Sequence, residues 1–140
     1  MSQTMLSIYI ATYNHEDYIK QALDSVFMQE TNYSYEVLVG EDCSTDNTRE
    51  VLKQYEKNHP DLLQNGTLKI LYRDHNMYRE SPNNITDLVK RCSGKYIVAL
   101  EGDDFWINKD KIQKQVDFLE NNSDYIAVAH DCVVVDRASS

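Results

Sequence analysis

Short apolar runs alternate with helical stripes along this chain. The first run, LSIYIA (6–11), is rich in β-branched residues and predicts a strand that ends at TYNH. Tyr18, Ile19, Ala22, Leu23, Val26 and Phe27 then recur at the spacing of an amphipathic helix, with Asn14 as its expected N-cap. YEVLVGED (35–42) predicts a second buried strand. Ser44, Asp46 and Asn47, residue types that cap helices, precede a stripe of Val51, Leu52 and Tyr55 that Pro60 ends. LKILY (68–72) reads as a third strand, and a polar loop through Pro82 leads to a short helix with Ile85, Leu88 and Val89 on its apolar side. KYIVALEGDD (95–104) is a fourth strand with an acidic end. Ile112, Val116 and Leu119 mark a helix over about 109–120, and YIAVAHDCVVVD (125–136) predicts a final strand or hairpin.

Strands that alternate with helices, and that are continuous apolar runs, predict a mostly parallel sheet covered on both faces. The fold class is α/β, three layers with helices on either side of the sheet, in one domain over 1–140. The winding predicts strand order 3-2-1-4, with a cleft between strands one and four. Ligands of such sheets sit beyond the carboxyl ends of the strands. By that rule the corner Ala11, Thr12, Tyr13 and Asn14, the pair Glu41–Asp42, and the acids Glu101, Asp103 and Asp104 all fall on one rim.

The net charge of −9 removes the basic surface that a nucleic-acid partner requires, so none is expected. Cys43, Cys92 and Cys132 are widely spaced and include no C-x-x-C pair, which fits a reducing compartment and neither a disulfide framework nor a zinc site. The N-terminus shows no basic region followed by a long apolar stretch, and no run reaches membrane-helix length. The expected location is the cytoplasm, with a peripheral place at the inner membrane face compatible with it.

Neither G-x-G-x-x-G nor G-x-x-x-x-G-K-[ST] occurs, so glycine-rich phosphate cradles are absent from the sequence. The remaining way to hold a diphosphate on an acidic rim is a divalent ion bridging carboxylate and phosphate oxygens, and Mg²⁺ and Mn²⁺ prefer such oxygen ligands. On spacing alone, acids after a strand are as readily solvated turn residues. Trp106 beside them is either a ligand contact or core. His130–Asp131 reads as structural, and Cys43 has no neighbouring His to activate it.

Three blocks, LSIYIATYNHEDYIKQALDSVFMQ, YEVLVGEDCSTDNT and GKYIVALEGDDFW, resemble in order and spacing the nucleotide-sugar half of family 2 glycosyltransferases of the GT-A fold. The resemblance spans residues 6–106. It implies that Asp42 hydrogen-bonds the nucleobase, that Ala11, Thr12, Tyr13 and Asn14 wall the base and ribose, and that Asp103 and Asp104 touch ribose and metal. Departures are Glu101 where Asp is usual, Glu41 and Cys43 in the second block, and HNMYRESPNN, which lacks the family's frequent N-x-G.

The implied function is inverting, hexosyltransferase-like sugar transfer from a nucleotide-diphosphate donor, a UDP-sugar first, with Mn²⁺ or Mg²⁺. The acceptor would be a glycan or lipid-linked sugar, and a homo-oligomer is compatible. No catalytic base is assigned, because the family places it beyond the acidic block. A non-catalytic or truncated nucleotide-sugar-binding module is the alternative. A phosphotransfer receiver domain, which needs an acid pair where this chain has ATYN, fits worse.

Overall fold

A computed structural model describes residues 3–136. In chain order the elements are β1 (Leu6–Thr12), α1 (Ile19–Phe27), β2 (Tyr35–Glu41), α2 (Thr48–Asn58), α3 (Pro60–Gln64), β3 (Leu68–Tyr72), α4 (Asn84–Arg91), β4 (Tyr96–Glu101) and α5 (Lys111–Asn121). The four strands form one sheet in the order β3-β2-β1-β4, and every pairing is parallel. The short α3, which the apolar pattern does not announce, begins at Pro60, the first-turn position where a missing N–H costs nothing. Among the described residues no helix is long and apolar enough to cross a membrane.

Strand alternation sorts the core into two layers. Leu6, Ile8 and Ile10 of β1, Val37 and Val39 of β2, Leu68 of β3 and Leu100 of β4 form one cluster with Ile19, Ala22, Leu23 and Val26 of α1, Leu52 and Tyr55 of α2, and Ile112 and Val116 of α5. Most of these are fully buried, so this face carries most of the hydrophobic stabilisation. On the opposite face lie Ser7, Tyr9, Leu38 and Gly40, and α4 packs there against β1 and β2 with Leu88 buried beneath it.

Three expectations are corrected. β4 lies at the edge, as the order 3-2-1-4 requires, but its second face is not covered: Ile97 is 47% exposed, and Ala99 and Glu101 are exposed with it. Residues 125–136 form no strand. Ile126 and Val134 stand 96% and 93% exposed, because an apolar run becomes a strand only where an edge is offered in register. Asn14 does not cap α1, whose N-cap is Tyr18; it sits instead at φ 55°, the left-handed region that Asn tolerates better than most residues.

At the amino ends of the strands, Glu36 is buried and accepts hydrogen bonds from Ser7 Oγ (2.7 Å), Ser93 N–H (2.8 Å), Ser93 Oγ (2.7 Å) and Lys69 Nζ (2.9 Å). Burial alone would raise its pKa, but the four donors outweigh it and hold the carboxyl at about 2. This cluster ties the turn into β4 to β1 and β2, on the rim opposite the acids of the site.

Candidate functional site

Parallel register brings three strand ends together: Ala11 lies opposite Gly40 on one side and Glu101 on the other. Asp42 N–H donates to Thr12 O (3.0 Å) and Gly102 N–H to Ala11 O (3.1 Å), so both acidic ends are stitched to the end of β1. Around them opens a cavity of about 370 Å³. Ala11, Thr12, Tyr13, His15, Asp42 and Glu101 line it from the strand ends, and Tyr78, Asn83, Asn84 and Ile85 from the loop and first turn of α4. A second cavity of about 340 Å³ lies between β4, α5 and residues 126–128, but no carboxylate lines it. Of these two, only the first offers carboxylate oxygens to a cation or to a hydrogen-bond donor.

The two adjacent acids at the end of β2 separate completely. Glu41 is fully buried, accepts from Ser44 N–H (2.6 Å) and is ion-paired with Arg49, whose guanidinium also donates to Arg73 O. It is a structural acid. Asp42, one residue on, lines the cavity. Its Oδ1 accepts from Met77 N–H (2.8 Å), and its backbone carbonyl accepts from Asn76 Nδ2 (3.1 Å), so the loop after β3 is fastened to it from both sides.

Asn14 lies outside the cavity lining. Its Oδ1 accepts from Thr45 N–H (2.8 Å) and Asp46 N–H (3.3 Å), and its own N–H donates to Ser44 Oγ (3.0 Å), which locks the β1 corner onto the turn before α2. Asp46 then accepts from Glu16 N–H (3.1 Å) and Thr48 N–H (2.9 Å). Hydrogen bonds thus hold the corner from both sides.

His15 was not foreseen from the sequence. Its Nδ1 lies 3.1 Å from Thr12 Oγ1 and its Nε2 lies 3.8 Å from Asp103 Oδ2, so it joins β1 to the acidic loop. Gly102 completes the contact. A β-carbon there would stand 2.6 Å from both Thr12 Oγ1 and His15 Nδ1, closer than any side chain tolerates.

Asp103 and Asp104 are exposed beyond the cavity, and Asp104 N–H donates to Glu101 O (3.1 Å). Burial raises the Glu101 pKa, and the charges of Asp103 and Asp104 push it in the same direction against the pull of His15. Among the described residues no three His, Cys, Asp or Glu side chains group to enclose an ion. The donor set suits the other mode, in which one or two carboxylates hold Mg²⁺ or Mn²⁺ and phosphate and water complete the shell.

Trp106 is core, 6% exposed, with Lys111 Nζ 4.4 Å from its ring centre. Burial lowers Lys111 to about 8. The cation–π contact offsets part of that cost and pins the acidic loop to the start of α5.

The model of glycosyl transferase family 2 matches residues 7–138. An uncharacterized protein of Mycobacterium tuberculosis, Rv1520, is 31% identical over 130 residues, 93% of this chain and 36% of that protein. The poly(ribitol-phosphate) beta-N-acetylglucosaminyltransferase TarS of Staphylococcus aureus is 29% identical over 125 residues, 87% of this chain and 20% of that protein. The crystal structure of TarS 1–349 with UDP superposes at a TM-score of 0.65 with 28% identity, covering 84% of this chain and 32% of that one. The mannosyltransferase PcManGT from Pyrobaculum calidifontis, solved with GDP-Man and Mn²⁺, shares the fold at a TM-score of 0.69 and 22% identity, covering 85% of this chain and 33% of that one. This chain thus spans well under half the length of the relatives it matches. With a family match over nearly its whole length and the parallel sheet that the GT-A neighbours share, the chain belongs to glycosyl transferase family 2.

Proposed function

We propose that this chain is the donor-binding part of an inverting glycosyltransferase, which moves a sugar from a nucleoside-diphosphate donor to an acceptor hydroxyl. The observation that carries the reading is that Asp42 and the acids of residues 101–104 flank the same strand ends, with a cavity lined by Asp42 and Glu101 between them. Asp42 would accept the base N–H, and Ala11, Thr12 and Tyr13 would wall the base and ribose. Asn14 acts one step back, by fixing that corner. Asp103 meets ribose and, with Asp104, holds Mn²⁺ or Mg²⁺, whose role when bound is to offset charge on the departing diphosphate.

The base we favour is uracil. One Asp42 oxygen already accepts from Met77 N–H, so the other is the less occupied of the two and the readier partner for one donor. Uracil offers one such donor, its N3–H, whereas guanine offers a paired N1–H and N2–H that engage a carboxylate best through both oxygens. TarS, solved with UDP and with UDP-GlcNAc, supports the choice by likeness. A glycan or lipid-linked sugar as acceptor, and the base that deprotonates it, belong to surfaces outside this site.

Thermal and urea denaturation with UDP, GDP, CDP and TDP tests the reading. A nucleotide at about 100 times its dissociation constant adds about 2.7 kcal/mol of stability. We expect UDP to give the largest gain, in Mn²⁺ and not in EDTA. No gain from any nucleotide contradicts the donor site, and an equal gain in EDTA contradicts the bridging ion.

A further inference from the structure

The cavity wall contributed by the loop between β3 and α4 holds an aromatic residue. Tyr78 lines the cavity, yet 80% of its surface is exposed. So large an uncovered ring normally belongs to a mobile loop tip, but this loop is tied down on both flanks. Met77 N–H and Asn76 Nδ2 bond Asp42, Tyr78 N–H donates to Asn76 Oδ1 (3.0 Å), and Glu80 N–H closes a turn onto Met77 O (3.0 Å). The backbone that carries the ring is thereby anchored beside the carboxylate that would read the base. Tyr13, 41% exposed, lines the same cavity from the β1 corner.

We propose that Tyr78 is a binding residue for the donor base, stacking on its face while Asp42 accepts from its edge. The inference rests on the nucleotide-donor reading above. A base has a flat π-face and an N–H edge, and this wall offers an aromatic ring and a carboxylate oxygen on one anchored loop. A ring is needed and a hydroxyl is not, because stacking is sequence-tolerant and uses only the face. Stacking of one base on an aromatic side chain is worth roughly five- to 150-fold in affinity by alanine substitution.

The test is calorimetric titration of the whole chain, in Mn²⁺, with UDP, GDP and inorganic pyrophosphate, for wild type, Tyr78→Ala and Tyr78→Phe. For whichever nucleotide wild type binds more tightly, Tyr78→Ala should weaken affinity at least fivefold and Tyr78→Phe less than fivefold, with pyrophosphate binding unchanged in both. A loss below fivefold in Tyr78→Ala overturns the inference, as does an equal loss for pyrophosphate or an equal loss in Tyr78→Phe. Failure of wild type to bind any of UDP, GDP, CDP and TDP overturns the donor reading itself, which separates the two failures.

Discussion

Gly40 sits in the middle of the site's foundation, and replacing it with alanine gives a result the structure predicts in detail. An added β-carbon would lie 2.3 Å from Asn84 Oδ1 and 2.9 Å from Asn84 Cγ and Nδ2; all three nearest atoms belong to one side chain. Asn84 is 5% exposed, its Nδ2 donates to Gly40 O (2.9 Å), and its Oδ1 accepts from Arg73 Nε (3.0 Å). No buried side-chain nitrogen or oxygen lacks a partner among the described residues, so expelling Asn84 breaks a fully satisfied arrangement. Each lost bond costs about 1 kcal/mol and an orphaned buried carbonyl about 1–3 kcal/mol. Gly40→Ala should therefore destabilise by roughly 2–4 kcal/mol.

Asn84→Ala removes the same two bonds by another route and should cost a similar amount, but it also removes every atom the new methyl would strike. The double variant should then be little worse than Asn84→Ala alone, roughly 2–3 kcal/mol better than the sum of the single changes. Urea unfolding followed by circular dichroism reads all four proteins. A Gly40→Ala cost below about 0.5 kcal/mol, or additive costs in the double variant, would refute the claim that this glycine exists to seat α4 against β2.

Two further predictions are independent of any ligand. The folded pKa of Glu36, about 2, lies below the ordinary 4.5, so its contribution is complete above about pH 4.5 and lost as pH falls toward 2. That contribution is about 3 kcal/mol, and Glu36→Gln should flatten the fall in stability over that window; parallel wild-type and variant curves would contradict it. Cys43 holds φ 58°, at a cost of roughly 1–2 kcal/mol for a side-chain-bearing residue. Cys43→Gly should be neutral or up to about 1 kcal/mol stabilising and Cys43→Val destabilising by about 1–2 kcal/mol, and equal melting temperatures for the two would show that the backbone there is not strained.

β1, β2 and β3 were legible because each is a continuous apolar run with a neighbour in register, so composition and position agree. β4 has the same kind of run and takes the edge place that the order 3-2-1-4 gives it, but whether a helix covers its second face depends on what packs there, which the run does not encode. Residues 125–136 are misplaced for a related reason: the valines of CVVV satisfy strand propensity, but the segment does not pair with the free edge of β4. Glu41 and Asp42 look interchangeable as neighbours, but strand alternation puts Glu41 on the face of Val37 and Val39, a signal available in the sequence and sufficient to mark it as interior. Asn14 carries two propensities, for caps and for the left-handed region, and the turn geometry chose the second. His15 and Tyr78 were missed for another reason. One reaches Asp103 across a corner and the other reaches the cavity from a loop more than thirty residues past Asp42, and no local pattern reports such distances.

The central claim is that this rim binds the donor nucleotide, and a crystal structure of the chain grown with UDP and Mn²⁺ tests it most directly. The uracil edge should lie within hydrogen-bonding distance of Asp42, its face against Tyr78, and the diphosphate with its ion at Asp103 and Asp104. Nucleotide bound elsewhere, such as the cavity between β4 and α5, or bound at the rim with Asp42 turned away from the base, would contradict it.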